Sequence, residues 1–178
     1  MVSSGLVHRT EVAQERLAIH LIIAALIFAS CIWVAGGLGP AQPLIIHEHK
    51  TRLRAVSFLL MIFTFLQIFL GGLVAGLRAG LVNNSWPLID GAFIPTRAAL
   101  WALDPWWINL LNNPLTVQFI HRMTAYVLFT IALVHLIDAF LNTEGKLKRG
   151  ALVVFLHVVV QIVLGIATLI LEIGRAHV

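Results

Sequence analysis

The sequence predicts an all-α polytopic transmembrane helix bundle, and three observations predict it. Sixty per cent of the 178 residues are hydrophobic and only 11% are charged, too few polar groups to cover a soluble globule. Four stretches, at about 17–39, 55–79, 115–139 and 150–171, are mostly apolar. Each has the roughly 20 residues that cross a ~30 Å hydrocarbon layer at ~1.5 Å per residue. None of the four alternates apolar with polar residues, as a transmembrane strand would. Mean hydropathy, at +0.94, agrees.

The first segment is too long, and starts too far in, for an ordinary signal peptide. It carries His20 about one turn from its start and the single Cys31, so no disulfide can form within the chain. A short basic connector, 40–54, holds Lys50, Arg52 and Arg54, with His47, Glu48 and His49 beside them. Two histidines at i, i+2 without further ligands are a weak metal signal. The second segment contains Gln67-Ile-Phe-Leu-Gly71 and ends near Arg78.

The connection 80–114 holds Trp86, Trp101, Trp106 and Trp107, four of the five tryptophans. Indole rings favour the headgroup region, so this loop is expected to lie along the membrane surface. Asn83-Asn84, Pro87, Asp90-Gly91, Pro95, Asp104-Pro105 and Pro114 punctuate it as turns, with room for one short interfacial helix. Asp90 is its best-placed carboxylate, with a turn-capping reading beside a chemical one.

The third segment opens with Thr116-Val-Gln-Phe-Ile-His121-Arg122-Met-Thr-Ala-Tyr126, an ionisable pair set in apolar sequence. An arginine deep in hydrocarbon costs roughly 2.5–3.5 kcal/mol on insertion scales, so the pair requires a partner. Imidazole is the commonest axial ligand of haem iron, which points to a membrane haem site. A second basic loop, with Lys146, Lys148 and Arg149, leads into the fourth segment, where Gln161-Ile-Val-Leu-Gly165 repeats the earlier Gln-to-Gly run. Buried amides need partners and glycines permit close helix packing, and a repeated helix pair also fits a bundle built by duplication.

The net charge of +4 is not clustered on a soluble face, and nucleic acid is not expected as a partner. Six of the twelve Lys and Arg lie in the two short loops, which the positive-inside rule makes cytoplasmic. Residue 1, the loop 80–114 and the C-terminal end are then external. That topology sets His20 and His121 at similar depth in the outer leaflet, with Arg78 and Arg122 near the same level and suited to pair with carboxylates.

Two readings stand for His20 and His121: iron ligands, or polar residues near helix ends that snorkel to the interface. His135 follows His121 by 14 residues, a return to nearly the same helix face. That spacing fits a two-haem cytochrome b, but the partner helix with matching histidines is not in this sequence. His135 therefore reads as a polar contact near the cytoplasmic side, and His157 as a helix–helix hydrogen-bonding residue. No nucleophile elbow, phosphate loop or metalloprotease motif occurs.

Five stretches together resemble the haem A synthase family. They are Ser4-Gly-Leu leading to Arg16-Leu-Ala-Ile-His20-Leu, the run from Gln67 through Arg78-Ala-Gly80, Asn84-Ser-Trp-Pro-Leu-Ile-Asp-Gly91, Val117 to Tyr126, and Gln161 to Leu169. They come in the family's order across residues 1–171. The resemblance implies eight transmembrane helices in two four-helix halves, each half holding one haem between two histidines. On that map residues 1–39 are the last helix of the first half, 40–54 the connector, and 55–171 the first three helices of the second half. His20 is then a ligand of the substrate haem and His121 a ligand of haem b. Each haem's other ligand is expected outside this chain, so these residues alone are expected to show negligible activity. Arg78 and Arg122 are expected propionate contacts, and Gln118, one turn before His121, is expected to tune that ligand. Asn112-Asn113 departs from the family's usual glutamate-asparagine.

The implied reaction oxidises the C8 methyl of haem O to a formyl group with water as oxygen source, in haem A biosynthesis. The implied partners are haem O, a membrane electron acceptor and haem O synthase, in a bacterial plasma membrane or, in a eukaryote, the mitochondrial inner membrane. An electron-transfer cytochrome b and a haem-free scaffold are the alternatives. The tail Ile173-Gly-Arg-Ala-His-Val178 matches one reading frame of a sequencing adapter (ATC GGA AGA GCA CAC GTC) and is expected to be read-through.

Overall fold

The computed structural model describes residues 13–38 and 48–171. His8, His47 and the tail 173–178 lie outside the described residues, as does the side chain of His49. Four long helices carry the fold: α1 (Gln14–Gly37), α2 (Glu48–Gly76), α6 (Pro114–Asn142) and α7 (Lys146–Ile170). All four are long and apolar enough to cross a membrane, and they coincide with the four predicted segments to within about four residues, except that α2 starts at Glu48, seven residues before the expected 55 and inside the expected connector 40–54. The chain is an all-α polytopic membrane bundle.

Their ends follow from local chemistry. Asn113 caps α6, its Oδ1 accepting from the Leu115 and Thr116 amides, and Pro114 follows at the first helical position, where a missing N–H costs nothing. Arg78 stops α2 in the left-handed region, at φ 50°, a conformation that for a non-glycine residue costs about 1–3 kcal/mol unless its surroundings hold it. Residues 143–145 alone separate α6 from α7, a connection short enough to force antiparallel neighbours.

The helices pack as a meander, α1 on α2, α2 on α6 and α6 on α7. Three apolar layers line the contacts. Ala18, Leu73 and Val117 meet near the long loop; Leu60, Leu128 and Ala132 fill the middle; Leu53, Ala139 and Ala151 close the basic end. At that end Arg52 of α2 pairs with Asp138 of α6, its Nε donating to Asp138 Oδ2 at 2.9 Å.

Small residues set the α1–α2 approach. A Cβ on Gly72 would stand 2.7 Å from the Cα of Ala18, and one on Gly76 would stand 2.6 Å from the Cα of Gln14. This Gly-x-x-x-Gly pair lets the two backbones touch, which is how helices associate in lipid, where apolar burial alone gives no drive. The outer faces of α1 and α7 stay apolar and exposed, with Phe28, Trp33, Val160 and Leu164 among them.

The connection after α2 holds more helix than the one short element expected. It contains α3 (Ala79–Val82), α4 (Arg97–Leu100), a 3-10 turn at Trp106–Ile108 and α5 (Asn109–Asn112). All four of its tryptophans are exposed. Buried Asn109 ties this segment together, donating to the Leu103 and Trp106 carbonyls and accepting from the Leu103 amide. Asn113 Nδ2 adds bonds to Asn109 Oδ1 and to the Ala99 carbonyl.

Candidate functional site

The His121 side chain turns into the α2–α6 contact. Its ring Cε1 lies 3.4 Å from the position a Cβ on Gly71 would take, an ordinary van der Waals distance, so the ring sits directly over Gly71. One turn earlier on the same face of α2, Gln67 Nε2 donates to the His121 carbonyl at 3.2 Å and stands 3.2 Å from His121 Nε2. A carbonyl oxygen can only accept, so the group facing it is the NH2. The second hydrogen of that NH2 is then available to His121 Nε2, which must accept it. The ring proton consequently sits on Nδ1.

Around this pair the bundle is unusually polar. Gln118, three residues before His121, is buried and donates to the Asn83 carbonyl at 2.8 Å. Gln67 Oε1, Asn83 Nδ2, Gln118 Oε1 and His121 Nδ1 are all buried without a hydrogen-bond partner. None of the four has a protein partner, and a buried donor or acceptor without one costs about 1–3 kcal/mol.

Arg122 faces the other way, into the long loop. Its guanidinium donates to the Ser85 carbonyl at 2.8 Å and to the Leu88 carbonyl at 3.4 Å. Those carbonyls flank a tight reversal in which Ile89 and Ala92 exchange both backbone bonds. Asp90 and Gly91, at φ 50° and 83°, form its corner, the left-handed pair that Asp-Gly adopts readily. The side chain of Asp90 is exposed and its amide donates to Ser85 Oγ, so its place in the turn is the one the sequence anticipated. Phe93 stacks on Tyr126 at 6.2 Å. The arginine thus fastens the loop to α6 and shields its own charge with backbone dipoles.

His20 sits differently. It is exposed, two residues beyond buried Ala18 and therefore on the side of α1 turned from α2. Its depth nonetheless matches that of His121, because adjacent Gly72 and Gly71 face Ala18 and His121 respectively. Two residues of helix add only ~3 Å.

A family model described as cytochrome oxidase assembly protein, COX15-CtaA, matches residues 1–176. The chain belongs to this family. Relatives named heme A synthase include one from Bradyrhizobium sp. (strain ORS 278), 53% identical over 96% of this chain and 47% of its own. Another, from Rhodopseudomonas palustris (strain TIE-1), is 46% identical over 99% of this chain and 48% of its own. The chain spans about half the length of the curated relatives it matches. No solved structure matches it.

Within this family member the remaining predicted residues fall as follows. Arg78 is exposed at the loop end, between α2 and α3. His135 is buried, with Nδ1 unpaired, one turn before Asp138. His157 does not bond across helices as expected: its Nδ1 meets the Val153 carbonyl of its own helix at 2.8 Å. The two Gln-to-Gly runs also differ in use, since Gln161 is exposed and nothing lies within 4 Å of a Cβ on Gly165. Asn112 is exposed, whereas its neighbour Asn113 is the buried cap. Among the described residues no cluster of three metal-ligating side chains occurs. The partnership of Gln67 with His121 had no local signal, because the two are 54 residues apart. The repeat marked Gln67 without saying what it touches.

Proposed function

We propose that the full-length protein carrying this chain oxidises the C8 methyl of haem O to a formyl group, giving haem A. The observation that carries the proposal is His121: a neutral imidazole in an apolar helix pair, with its lone pair on Nε2 and buried polar atoms around it, in a chain whose relatives are named heme A synthase. An imidazole lone pair at a dry site is a fitting donor for haem iron. His121 would hold haem b, which would supply a one-electron route between substrate and acceptor when bound.

His20 holds the substrate haem from the exposed side of α1, at the depth of His121. Arg78 and Arg122 address propionates at the loop end; two of the five donors of Arg122 serve Ser85 and Leu88, leaving others for an anion. The loop fastened by Arg122 covers this end and limits water. Overall the methyl group and one water give the formyl group, four electrons and four protons. Two successive hydroxylations form a hydrated aldehyde that loses water, and the electrons leave to a membrane acceptor. In the orientation that the positive-inside rule gives, the long loop is external and Arg52, Arg54, Lys146 and Arg149 face the cytoplasm. Haem O synthase is the partner proposed to deliver the substrate.

His121→Ala in the full-length protein tests the reading. Loss of bound haem b from its absorption spectrum is expected; unchanged haem content and spectrum would overturn the ligand assignment. Incubation with haem O and an electron acceptor then separates the enzyme from a mere electron carrier, which forms no formyl product.

A further inference from the structure

We propose that Gln67 is a positioning residue that gates the His121 imidazole, occupying the ring nitrogen that iron needs and yielding it when haem arrives. The inference rests on the haem-ligand reading of His121 given above. Its own basis is the bifurcated contact: one NH2 group reaches the His121 carbonyl and His121 Nε2, each at 3.2 Å.

With the proton on Nδ1, the imidazole has a single lone pair, on Nε2. That lone pair can accept from Gln67 or bind a metal, but not both. Gln67 therefore competes with iron for one orbital. Its second bond, to the backbone carbonyl, survives the exchange, because neither that carbonyl nor the Gln67 stem has to move. The donor nitrogen can keep that bond while its other hydrogen swings off Nε2, so the exchange needs only a tilt of the NH2 about the retained bond. The unpaired Gln67 Oε1 and His121 Nδ1 show why the resting arrangement is poised to change. Neither atom has a protein partner while the amide sits on Nε2, and a tilt of the carboxamide gives up nothing at either.

Guarding the lone pair also explains why a potent ligand can wait in a membrane without capturing the wrong metal. A glutamine suits this role better than a leucine, which would leave Nε2 bare. It suits it better than a glutamate as well, whose carboxylate would draw a proton onto Nε2 and block it more firmly.

The test measures the rate at which haem b, added to haem-depleted full-length protein in detergent, develops its Soret band. Gln67→Leu removes the competitor and is expected to speed uptake roughly threefold to tenfold, the equivalent of one ordinary hydrogen bond. Gln67→Glu is expected to slow it. Opposite changes identify a gate, whereas a packing role would slow both variants alike. Equal rates in wild type and both variants, or slowing in both, would overturn the proposal. His121→Ala is run beside them; if it takes up haem b like the wild type, the ligand assignment has failed rather than the gate. Should Gln67→Leu not fold, Gln67→Met enters the same assay. In the loaded protein, loss of the carbonyl bond is expected to shift the low-spin EPR signal of the haem on His121, and an unshifted signal counts against a positioning role.

Discussion

Gly72 lies so close beneath Ala18 that a single added methyl group would stand 2.7 Å from the Ala18 Cα. The neighbouring glycine, Gly71, faces the His121 ring, where an added Cβ would make an ordinary 3.4 Å contact. Two adjacent residues of α2 therefore face α1 and α6 at one depth. His20 and His121 inherit their common level from that arrangement.

Gly72→Ala is expected to push α1 away from α2, since the obstructing atom is backbone and cannot rotate aside. Overpacking of this sort costs about 1–3 kcal/mol. Denaturant unfolding in micelles should show the loss, and Gly165→Ala, which meets nothing within 4 Å, should show none. Equal stabilities for the two variants would refute the close approach.

Arg122→Ala should free the loop from α6. Two charge-assisted bonds to the Ser85 and Leu88 carbonyls disappear, each worth about 1.5–3 kcal/mol. Hydrogen exchange across residues 85–93 should quicken markedly, while exchange in the middle of α6 stays slow. Arg122→Lys should give a smaller effect of the same kind, because one ammonium cannot reproduce a planar fork. Unaltered exchange in the loop would count against the fastening role.

Asn113 makes a discriminating case. Asn113→Ala removes the cap of α6, a loss of about 1–2 kcal/mol. Asn113→Asp keeps the capping oxygen but turns an acceptor towards the Ala99 carbonyl and Asn109 Oδ1, where Nδ2 now donates. It should therefore destabilise as much as the alanine change, despite aspartate being a good cap. Asn112→Glu, at an exposed position, should fall within about 0.5 kcal/mol of wild type. A thermal or denaturant series on the three variants checks the order, and a fully stable Asn113→Asp would break it.

Composition and run length made the four long helices legible, because only apolar stretches of this extent satisfy lipid and no competing element does. The turn at Asp90-Gly91 was legible for a similar reason, since few residue pairs accept two successive left-handed conformations. The Arg122 partner was not. A buried guanidinium can be met by a carboxylate, a propionate or backbone carbonyls, and the sequence around it ranks none of these above the others. His157 likewise had two ways to satisfy its ring, across a helix or back to Val153, and local geometry took the nearer.

The order of residues by itself determined that this chain forms an all-helical membrane bundle, which four stretches form its long helices, and which imidazoles lie in them. Hydrophobic run length and charge placement act on every residue independently, so they can be read one segment at a time. Only the tertiary structure decided that His121 turns inward onto Gly71 and Gln67 while His20 turns away from α2. That choice depends on which helix faces meet, and α1 meets α2 where Gly72 and Gly76 remove the bulk that would hold two backbones apart.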